Sequence, residues 1–211
     1  QKHVLGMGYI METLNIKGRQ YYYQQVENAF TQPNAGVNEQ MIAWASESVE
    51  RFGPRVKPDL LELYCGNGNF TIALAAQFDK VMATEIAKSS VNSALFNLAE
   101  NDIDNVTIVR LSSEEMTQAL AGTRPFRRLA EVDLTSFDFG TILVDPPRAG
   151  LDPQTLALVQ QFDQVIYISC NPETLLDNLH ELKQTHALKR LALFDQFPYT
   201  HHAECGVVLH K

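Results

Sequence analysis

The sequence is poor in cysteine, and its few cysteines lack the spacing of a disulfide framework or a zinc site. Cys65, Cys170 and Cys205 include no C-x-x-C pair, and their odd number leaves one over in any disulfide scheme. This usage is typical of a reducing compartment, so we expect a cytoplasmic protein. The adjacent His201 and His202 have no third ligand at a matching spacing, so no metal site is expected.

Long apolar runs and a surplus of positive charge are missing as well. No stretch reaches the length of a membrane span, and nothing at the start resembles a signal peptide, so no membrane partner is expected. The 25 acidic residues outnumber the 17 Lys and Arg residues, which gives a formal net charge of −8. That balance argues against generalised nucleic-acid binding and allows only a local basic patch. The chain opens on Gln1 and not on Met, so we expect it to be the C-terminal part of a longer protein. We also expect the protein to be a monomer.

From Pro58 onward, short apolar runs alternate with segments of helical periodicity. This alternation predicts an α/β fold built on a doubly wound, mostly parallel sheet. Two last apolar runs, 188–194 and 205–209, have no helix between them, so we expect an antiparallel pair that closes the sheet. The other predicted strands are 60–64, 81–85, 106–110, 141–144 and 165–169, and the predicted helices are 70–78, 88–101, 113–120, 155–162 and 172–183.

The residues before Pro58 follow a different pattern. Residues 1–30 alternate in patches between apolar and polar side chains and contain several glycines, which predicts short antiparallel strands or hairpins. Apolar residues between Val37 and Phe52 fall close to helical spacing, and Gly53 with Pro54 ends that helix.

Cys170 lies where the 165–169 strand gives way to a helix. Asn171 and Pro172 have the character of an N-cap and a first helical residue. The partial positive charge of a helix N-terminus lowers the pKa of a thiol, so the position favours the thiolate, which is the nucleophilic form. The alternative is a small buried apolar residue that ends a strand.

A glycine turn follows the 60–64 strand. Its residues, 65–69, read C-G-N-G-N, and Glu85 ends the next predicted strand. Glycines allow the backbone to approach a ligand, and a carboxylate at the second strand tip can bind the hydroxyls of a ribose. The third glycine of a dinucleotide motif and the Lys-Ser/Thr of a P-loop are both missing, so S-adenosylmethionine suits the site better than a pyrophosphate.

Three further groups of residues are candidates for chemistry. Asp145-Pro146-Pro147-Arg148 follows the 141–144 strand. Asp145 can bind a planar base or the cofactor, and Arg148 can bind a carbonyl or a phosphate. The alternative is that the motif is only a proline turn with a surface ion pair. Glu204 is either a surface carboxylate or, in a pocket partly closed from water, a general base. Arg124, Arg127 and Arg128 form the most basic run, which either contacts phosphates or is a solvated loop.

A cysteine, a carboxylate and a methyl donor together fit one reaction in particular. Methyl transfer to an amine nitrogen needs only an aligned lone pair and has no use for a thiol. C5 of a pyrimidine is a poor nucleophile until a thiolate adds at C6, and a base must later remove the C5 proton. The residues therefore favour C5 methylation of a pyrimidine.

These motifs together resemble the RNA uracil-5-methyltransferases. The sequences of two stretches, residues 30–35 and 195–202, are similar to the bacterial tRNA branch of that family, which makes ribothymidine in the T-loop. The resemblance runs from about Val26 to the end of the chain. The residues that carry it are Phe30-Thr31-Gln32-Pro33-Asn34-Ala35, the 63–70 glycine turn, Asp145 to Leu151, Ile168 to Pro172, and Asp195 to His202 with Glu204.

The resemblance implies a seven-stranded, Rossmann-like, S-adenosylmethionine-dependent methyltransferase fold whose last strand is antiparallel. It implies that residues 1–36 are the remnant of an N-terminal β-rich region that helps to bind RNA, and that residues 37–211 are the catalytic domain. The partner would be the T-arm of a tRNA, whose target uridine flips out of its loop. The resemblance assigns Cys170 as nucleophile, Glu204 as base, Arg148 near the target base, and Gln32, Tyr64, Asn69, Glu85 and Asp145 as residues that line the cofactor and reaction pocket.

Three alternatives remain at the level of the sequence. One is a ribosomal RNA uracil-5-methyltransferase, whose relatives often carry an N-terminal cysteine cluster for iron–sulfur. Another is an amine methylase that uses Asp145-Pro146-Pro147 and in which Cys170 is incidental. The third is a catalytically idle cofactor-fold module that binds RNA or a protein partner.

Overall fold

A computed structural model of the chain describes residues 6–54, 56–200 and 202–211. Within these residues a two-stranded hairpin precedes a seven-stranded sheet that has helices on both faces. The strands are β1 (Tyr9–Ile16), β2 (Arg19–Val26), β3 (Asp59–Leu63), β4 (Val81–Thr84), β5 (Val106–Val109), β6 (Phe139–Val144), β7 (Gln164–Ser169), β8 (Ala187–Phe194) and β9 (Glu204–His210). The α-helices are α1 (Ala35–Phe52), α2 (Thr71–Leu74), α3 (Lys88–Glu100), α4 (Ser113–Leu120), α5 (Pro153–Val159) and α6 (Pro172–Leu182).

The strand order of the large sheet is β5-β4-β3-β6-β7-β9-β8. Strands β3 to β7 pair in parallel, whereas β9 pairs antiparallel with both β7 and β8. The predicted fold class, including the antiparallel last strand, is therefore confirmed. Because the chain leaves β3 toward β4 on one side and reaches β6 on the other, the order reverses beside β3. Open α/β sheets bind ligands at such a reversal, outside the carboxyl ends of the strands.

The sheet is buried on both faces, and this explains why its central strands have continuous apolar sequences. Alternate residues of one strand belong to different cores: Leu143 packs in the core that contains α1 and the hairpin, and Ile142 packs in the core beneath α5 and α6. The two cores hold the carboxyl ends of β3, β6 and β7 in fixed positions, so that side chains just beyond those ends are placed precisely relative to one another.

The N-terminal hairpin packs into the core that lies on the α1 side of the large sheet. Its side chains Leu14, Ile16, Tyr21 and Tyr23 are all buried there. Residues 9–26 form the antiparallel strands that the sequence predicts, with Tyr9 opposite Val26 and Ile16 opposite Arg19. The division of the chain at residue 36 stays a prediction.

Most helix boundaries agree with the sequence, and those of two helices do not. The helix predicted over 155–162 spans Pro153–Val159, because the Asp152 side chain caps it at Gln154 and Thr155. Ser112 and Glu115 form both hydrogen bonds of a capping box at the start of α4, and Asn171 caps α6 as expected. The helix predicted over 70–78 is wrong in its extent: it is α-helical only over Thr71–Leu74, and a short 3₁₀ turn follows. The Asn105 side chain donates to the carbonyls of Ala75 and Phe78, and these bonds replace the continuation of the helix.

No helix of residues 6–54, 56–200 and 202–211 combines the length and the apolar character needed to span a membrane.

Candidate active site

A cavity of about 1150 Å³ opens at the carboxyl ends of β3, β4, β6 and β7, beside the reversal in strand order. Every residue to which the sequence resemblance assigns a role lines it. These are Gln32, Tyr64, Asn69, Glu85, Asp145, Arg148, Cys170 and Glu204. They come from six separate segments of the chain, so the fold alone brings them together.

Cys170 and Glu204 meet because β7 and β9 run antiparallel. The ladder pairs Gln164 with His210 and continues in register to Ser169 opposite Cys205. The next position in that register places Cys170 opposite Glu204. Both side chains line the cavity, and the Glu204 carboxylate acts electrostatically on the Cys170 thiol. The proposed nucleophile and the proposed base therefore face one space.

The structure contradicts the expected effect of the α6 N-terminus on the Cys170 thiol. The pKa of Cys170 is raised, chiefly because the half-buried thiol loses hydration, and further because Glu204 and Asp145 are near. Arg148 acts in the opposite direction but does not outweigh them. The raised pKa disfavours the thiolate form of Cys170.

Glu204 is 3% exposed, and burial raises its pKa to about 7. No described residue forms a hydrogen bond with its carboxyl group, so nothing there stabilises the charged form. A carboxyl group with this pKa exchanges its proton near neutral pH, which is the property of a general acid–base residue.

Asp145 is the third acidic group of the site. Loss of hydration raises the pKa of its carboxyl well above the usual value, and the carboxyl groups of Glu204 and Glu62 add to the effect. Glu62 is fully buried within β3, where it accepts a hydrogen bond from the Thr71 hydroxyl at 2.7 Å, and burial raises its pKa to about 8. Burial and crowding of the three carboxyl groups therefore disfavour the charged form of Asp145.

The loop that carries Arg148 is fixed to the start of α6. The Arg148 carbonyl accepts hydrogen bonds from the Asn171 side-chain amide at 2.9 Å and from the Thr174 hydroxyl at 3.1 Å. Asn171 therefore has two functions: it caps α6, and it ties the Asp-Pro-Pro-Arg loop to the turn that carries Cys170. The guanidinium of Arg148 itself remains exposed at the cavity.

The glycine turn has the backbone conformation that its sequence requires. Gly66 and Gly68 have φ values of 57° and 86°, where a side chain is disfavoured. The Glu85 carboxylate closes this side of the cavity: one oxygen accepts from the Gly66 N–H at 3.1 Å and the other from the Ala87 N–H at 2.7 Å. Both bonds hold the carboxylate at the tip of β4, where each oxygen keeps a lone pair for a ligand hydroxyl.

Asn69 and Tyr64 are held by partners that the sequence did not reveal. The side chains of Asn69 and Asn38 exchange two hydrogen bonds of 2.8 and 3.0 Å, and the buried Tyr23 hydroxyl donates to the Asn69 carbonyl. The Tyr64 hydroxyl donates to Ser113 at the start of α4. Each of these contacts fixes the glycine turn from a different element.

The hairpin and the glycine turn are joined through α3. The Asn97 side chain accepts from the Gln24 N–H and donates to the Asn67 carbonyl, while the Asn67 side chain donates to the Gln24 carbonyl. One turn further along α3, Asn101 bonds to both backbone groups of Tyr22. The i, i+4 spacing of two asparagines on one helix face was the available sequence signal for this connection.

Three aromatic or imidazole side chains at the cavity were not predicted from the sequence. Phe30 is 72% exposed on the segment before α1, and Phe197 and His202 pack edge to face, with ring centres 6.0 Å apart, between β8 and β9. His201 lies outside the described residues. In the described parts of the chain, no group of three or more His, Cys, Asp or Glu side chains could hold a metal ion.

The basic run 124–128 is partly used inside the protein. Arg124 stacks on Phe126, with 4.3 Å from the guanidinium carbon to the ring centre, and donates to the Gln118 side chain. Arg128 donates to the Arg110 carbonyl at 3.0 Å and lies 3.6 Å from the Glu115 carboxylate. Arg124 and Arg128 therefore have partners within the protein, and their positions do not require RNA. A phosphate contact by this run stays a prediction.

Comparisons with known proteins give a consistent result. The family model described as tRNA (Uracil-5-)-methyltransferase matches residues 1–211. A tRNA/tmRNA (uracil-C(5))-methyltransferase of Colwellia psychrerythraea is 59% identical over 209 residues, which are 99% of this chain and 56% of that protein. The protein of the same name from Cellvibrio japonicus is 58% identical over 211 residues, 100% of this chain and 57% of that protein. The chain thus spans about half the length of the curated relatives that it matches.

A solved structure shows the same fold. The crystal structure of Pyrococcus abyssi tRNA (uracil-54, C5)-methyltransferase in complex with S-adenosyl-L-homocysteine aligns with a TM-score of 0.74 and 27% identity, over 97% of this chain and 45% of that one. A putative methyltransferase of Streptococcus mutans aligns with a TM-score of 0.67 at 12% identity, which supports the fold alone. With the family model matching along the whole sequence, the chain belongs to the tRNA (uracil-5-)-methyltransferase family.

Proposed function

We propose that this chain is the catalytic part of an enzyme that methylates C5 of a uridine in the T-loop of tRNA, with S-adenosylmethionine as methyl donor. The product is 5-methyluridine, and the reaction passes through a covalent bond between Cys170 and C6 of the uracil. The observation that carries the proposal is a single cavity that holds a thiol, an acid–base carboxyl opposite it, and a glycine turn with a carboxylate at the neighbouring strand tip.

The glycine-turn end of the cavity fits S-adenosylmethionine. Glu85 can accept from the ribose hydroxyls because both of its oxygens are held in place by backbone N–H groups. A side-chain carbon at Gly66 would meet nothing within 4 Å, so the turn leaves open space for a ligand to lie against the backbone. When bound, the cofactor supplies a methyl group from a positively charged sulfur. Gln32, Tyr64, Asn69 and Asp145 are the other residues that we assign to its pocket.

Cys170 starts the reaction. Its sulfur forms a bond to C6, and the electron pair of the C5–C6 double bond moves toward C5 and the C4 carbonyl, which makes C5 nucleophilic. Because the thiol pKa is raised, the sulfur releases its proton to water in the open cavity as this bond forms, and Glu204 stays free to accept the C5 proton later. Arg148, near the base, stabilises the negative charge that develops on the carbonyl.

Glu204 completes the reaction. Once C5 carries the methyl group, the Glu204 carboxylate removes the C5 proton, the C5–C6 double bond forms again, and the bond between C6 and the Cys170 sulfur breaks. The products are the methylated uridine and the free thiolate. A carboxyl group with a pKa of about 7 is partly ionised at neutral pH, so it can accept this proton and release it to water afterwards.

The substrate is proposed from the names of the relatives, which specify tRNA and tmRNA. The target uridine has to leave its loop to reach Cys170, and bases in loops are the least costly to flip. The exposed Phe30 and the Phe197–His202 pair at the cavity are suited to stack on exposed bases. A reducing cytoplasm would keep Cys170 and the two other free cysteines as thiols.

Covalent trapping tests the proposal. The full-length natural protein is incubated with S-adenosylmethionine and a T-arm RNA in which 5-fluorouridine replaces the target uridine. Fluorine at C5 leaves no proton to remove, so the protein–RNA adduct persists and survives denaturing electrophoresis. The adduct should disappear in Cys170→Ala and remain in Cys205→Ala, whose cysteine is buried on the neighbouring strand.

Two other results would point elsewhere. An adduct that survives in Cys170→Ala would remove Cys170 from the role of nucleophile. Methylation of tRNA with no adduct in the natural protein, and with full activity in Cys170→Ala, would indicate an amine methylase. Mass spectrometry of tRNA nucleosides after the reaction identifies which base gains the methyl group.

A further inference from the structure

Gln196 lies just beyond β8, on the segment that leads to Glu204, and is fully buried. Its side-chain nitrogen donates to the Oε1 atom of Gln32 at 2.8 Å, across 164 residues of sequence. Gln32 lies on the segment between β2 and α1 and lines the cavity. This single hydrogen bond joins the segment that carries the proposed base to the segment on the cofactor side.

The other end of the Gln196 amide has no partner. Its Oε1 atom is buried and accepts no hydrogen bond from any described residue. The nearby Asn38–Asn69 amide pair shows the alternative, since each of those side chains both donates and accepts. An unpaired buried carbonyl costs free energy, so an apolar side chain would suit the position better for folding alone. A functional reason to keep an amide there is therefore needed.

The bond to Gln32 supplies that reason. The Gln32 side-chain oxygen accepts a hydrogen bond from the Gln196 side-chain N–H. This bond fixes the orientation of the Gln32 amide, with its oxygen toward Gln196 and its nitrogen on the other side. The NH₂ of Gln32 forms no hydrogen bond with a described residue, so it is the end that stays available at the cavity. The reverse assignment of both amides would leave a buried N–H group of Gln196 unpaired, and orphaned N–H groups are rarer than orphaned carbonyls.

We propose that Gln196 is a positioning residue that orients the Gln32 amide, so that its NH₂ donates to an acceptor on the bound cofactor. The inference rests on the proposed function, because it takes the ligand at Gln32 to be S-adenosylmethionine or its product S-adenosylhomocysteine. Without Gln196 the Gln32 amide can rotate, and either its oxygen or its nitrogen then faces the ligand. An oxygen in that position would repel an acceptor on the ligand.

The experiment measures the affinity of the full-length natural protein for S-adenosylhomocysteine by calorimetry, together with the midpoint of thermal unfolding. Gln196→Met keeps the length of the side chain and removes its polar atoms. It should weaken binding roughly fivefold to tenfold, the loss expected for one oriented hydrogen bond. It should leave the unfolding midpoint of the free protein unchanged or higher, because a buried unpaired carbonyl is gone. A purely structural residue would show the opposite pattern.

Gln77→Met is the matched control. Gln77 also has a buried Oε1 without a partner among the described residues, but its nitrogen bonds to Ser46 and Glu50, on α1 and away from the cavity. Its affinity for S-adenosylhomocysteine should equal that of the natural protein.

A double-mutant cycle with Gln32→Ala decides whether Gln196 acts through Gln32. If it does, Gln196→Met adds no further loss of affinity once Gln32 is alanine. Equal and additive losses, or weak binding that accompanies a lower unfolding midpoint, would overturn the inference. Normal affinity in Gln196→Met with weak binding in Gln32→Ala would overturn it too, while the proposed function stands. If the natural protein binds no S-adenosylhomocysteine at all, the proposed function itself is wrong.

Discussion

Cys170 lies opposite Glu204, one position beyond the Ser169–Cys205 pair that ends the antiparallel ladder of β7 and β9. Each of the two residues is the immediate sequence neighbour of a residue in that ladder, so the hydrogen bonds of two buried strands hold the chain directly beside both side chains. The pKa of Cys170 is raised chiefly because the thiol is half-buried, and the neighbouring Glu204 carboxyl group adds to the effect. The reactivity of this thiol is therefore set by burial and by charged neighbours.

The first prediction concerns the titration of Cys170. Glu204→Gln removes a nearby negative charge and should lower the thiol pKa, whereas Arg148→Met removes a positive charge and should raise it further. The measurement is the rate of alkylation of Cys170 by iodoacetamide between about pH 6 and 10, a range that brackets the ordinary thiol pKa, followed by mass spectrometry. Arg148→Lys keeps the charge and is the control. Identical profiles in all four proteins would contradict this electrostatic account.

The second prediction concerns release of the methylated RNA. In the proposed mechanism the C5 proton passes to the ionised form of Glu204, whose pKa is raised to about 7 by burial. In single-turnover experiments, release should accelerate about tenfold per pH unit below about pH 7 and level off above it. Glu204→Gln should accumulate the methylated adduct on Cys170 and lose this pH dependence. Normal release by that variant would assign the base to another residue.

The third prediction concerns stability and Glu62. Its carboxyl pKa rises from the ordinary 4.5 to about 8 on folding, so its favourable contribution is complete below about pH 4.5 and is lost as the pH rises to about 8. The Glu62→Gln variant carries an uncharged amide at this position at every pH. We therefore expect the variant to gain stability relative to the natural protein as the pH rises across this window.

The gain from Glu62→Gln should be on the order of a few kcal/mol at about pH 8.5 and small at about pH 4.5, because a neutral amide resembles the protonated acid that the folded protein prefers. Denaturant unfolding at the two pH values measures it. Glu173→Gln, on the exposed first turn of α6, is the control and should show no such trend. A pH-independent difference for Glu62→Gln would contradict the prediction.

The fourth prediction separates the two asparagines of α3. Asn97→Ala and Asn101→Ala each leave two backbone groups of other segments without partners, so each should destabilise the protein by about 1–3 kcal/mol. Only Asn97 contacts the glycine turn, through the Asn67 carbonyl. Asn97→Ala alone should therefore weaken binding of S-adenosylhomocysteine, measured by calorimetry at a temperature where both variants are folded.

An intermediate variant sharpens this comparison. Asn97→Asp keeps the oxygen that accepts from the Gln24 N–H but loses the donor to Asn67. Asn97→Asp should therefore destabilise the protein less than Asn97→Ala does, and it should still bind S-adenosylhomocysteine weakly. Equal ligand affinity in the Asn97 and Asn101 variants would mean that the hairpin does not support the glycine turn.

Local sequence was sufficient for most elements. The apolar runs of β3, β6 and β7 identify buried strands, and the caps at Ser112 and Asn171 identify the starts of α4 and α6. The helix after the glycine turn was predicted too long because its end depends on Asn105, which is 30 residues away from Ala75. Local propensity contains no information about such a partner.

The sequence by itself determined the order of the elements, the α/β class and the identity of the candidate reactive residues, because each of these depends on neighbours a few positions apart. Only the tertiary structure decided how those residues act on one another. The pKa values of Cys170 and Glu204, the Gln32–Gln196 bond and the tie of the hairpin to the glycine turn all join distant segments. They depend on distance and on exclusion of water, and these are fixed only when the sheet is assembled.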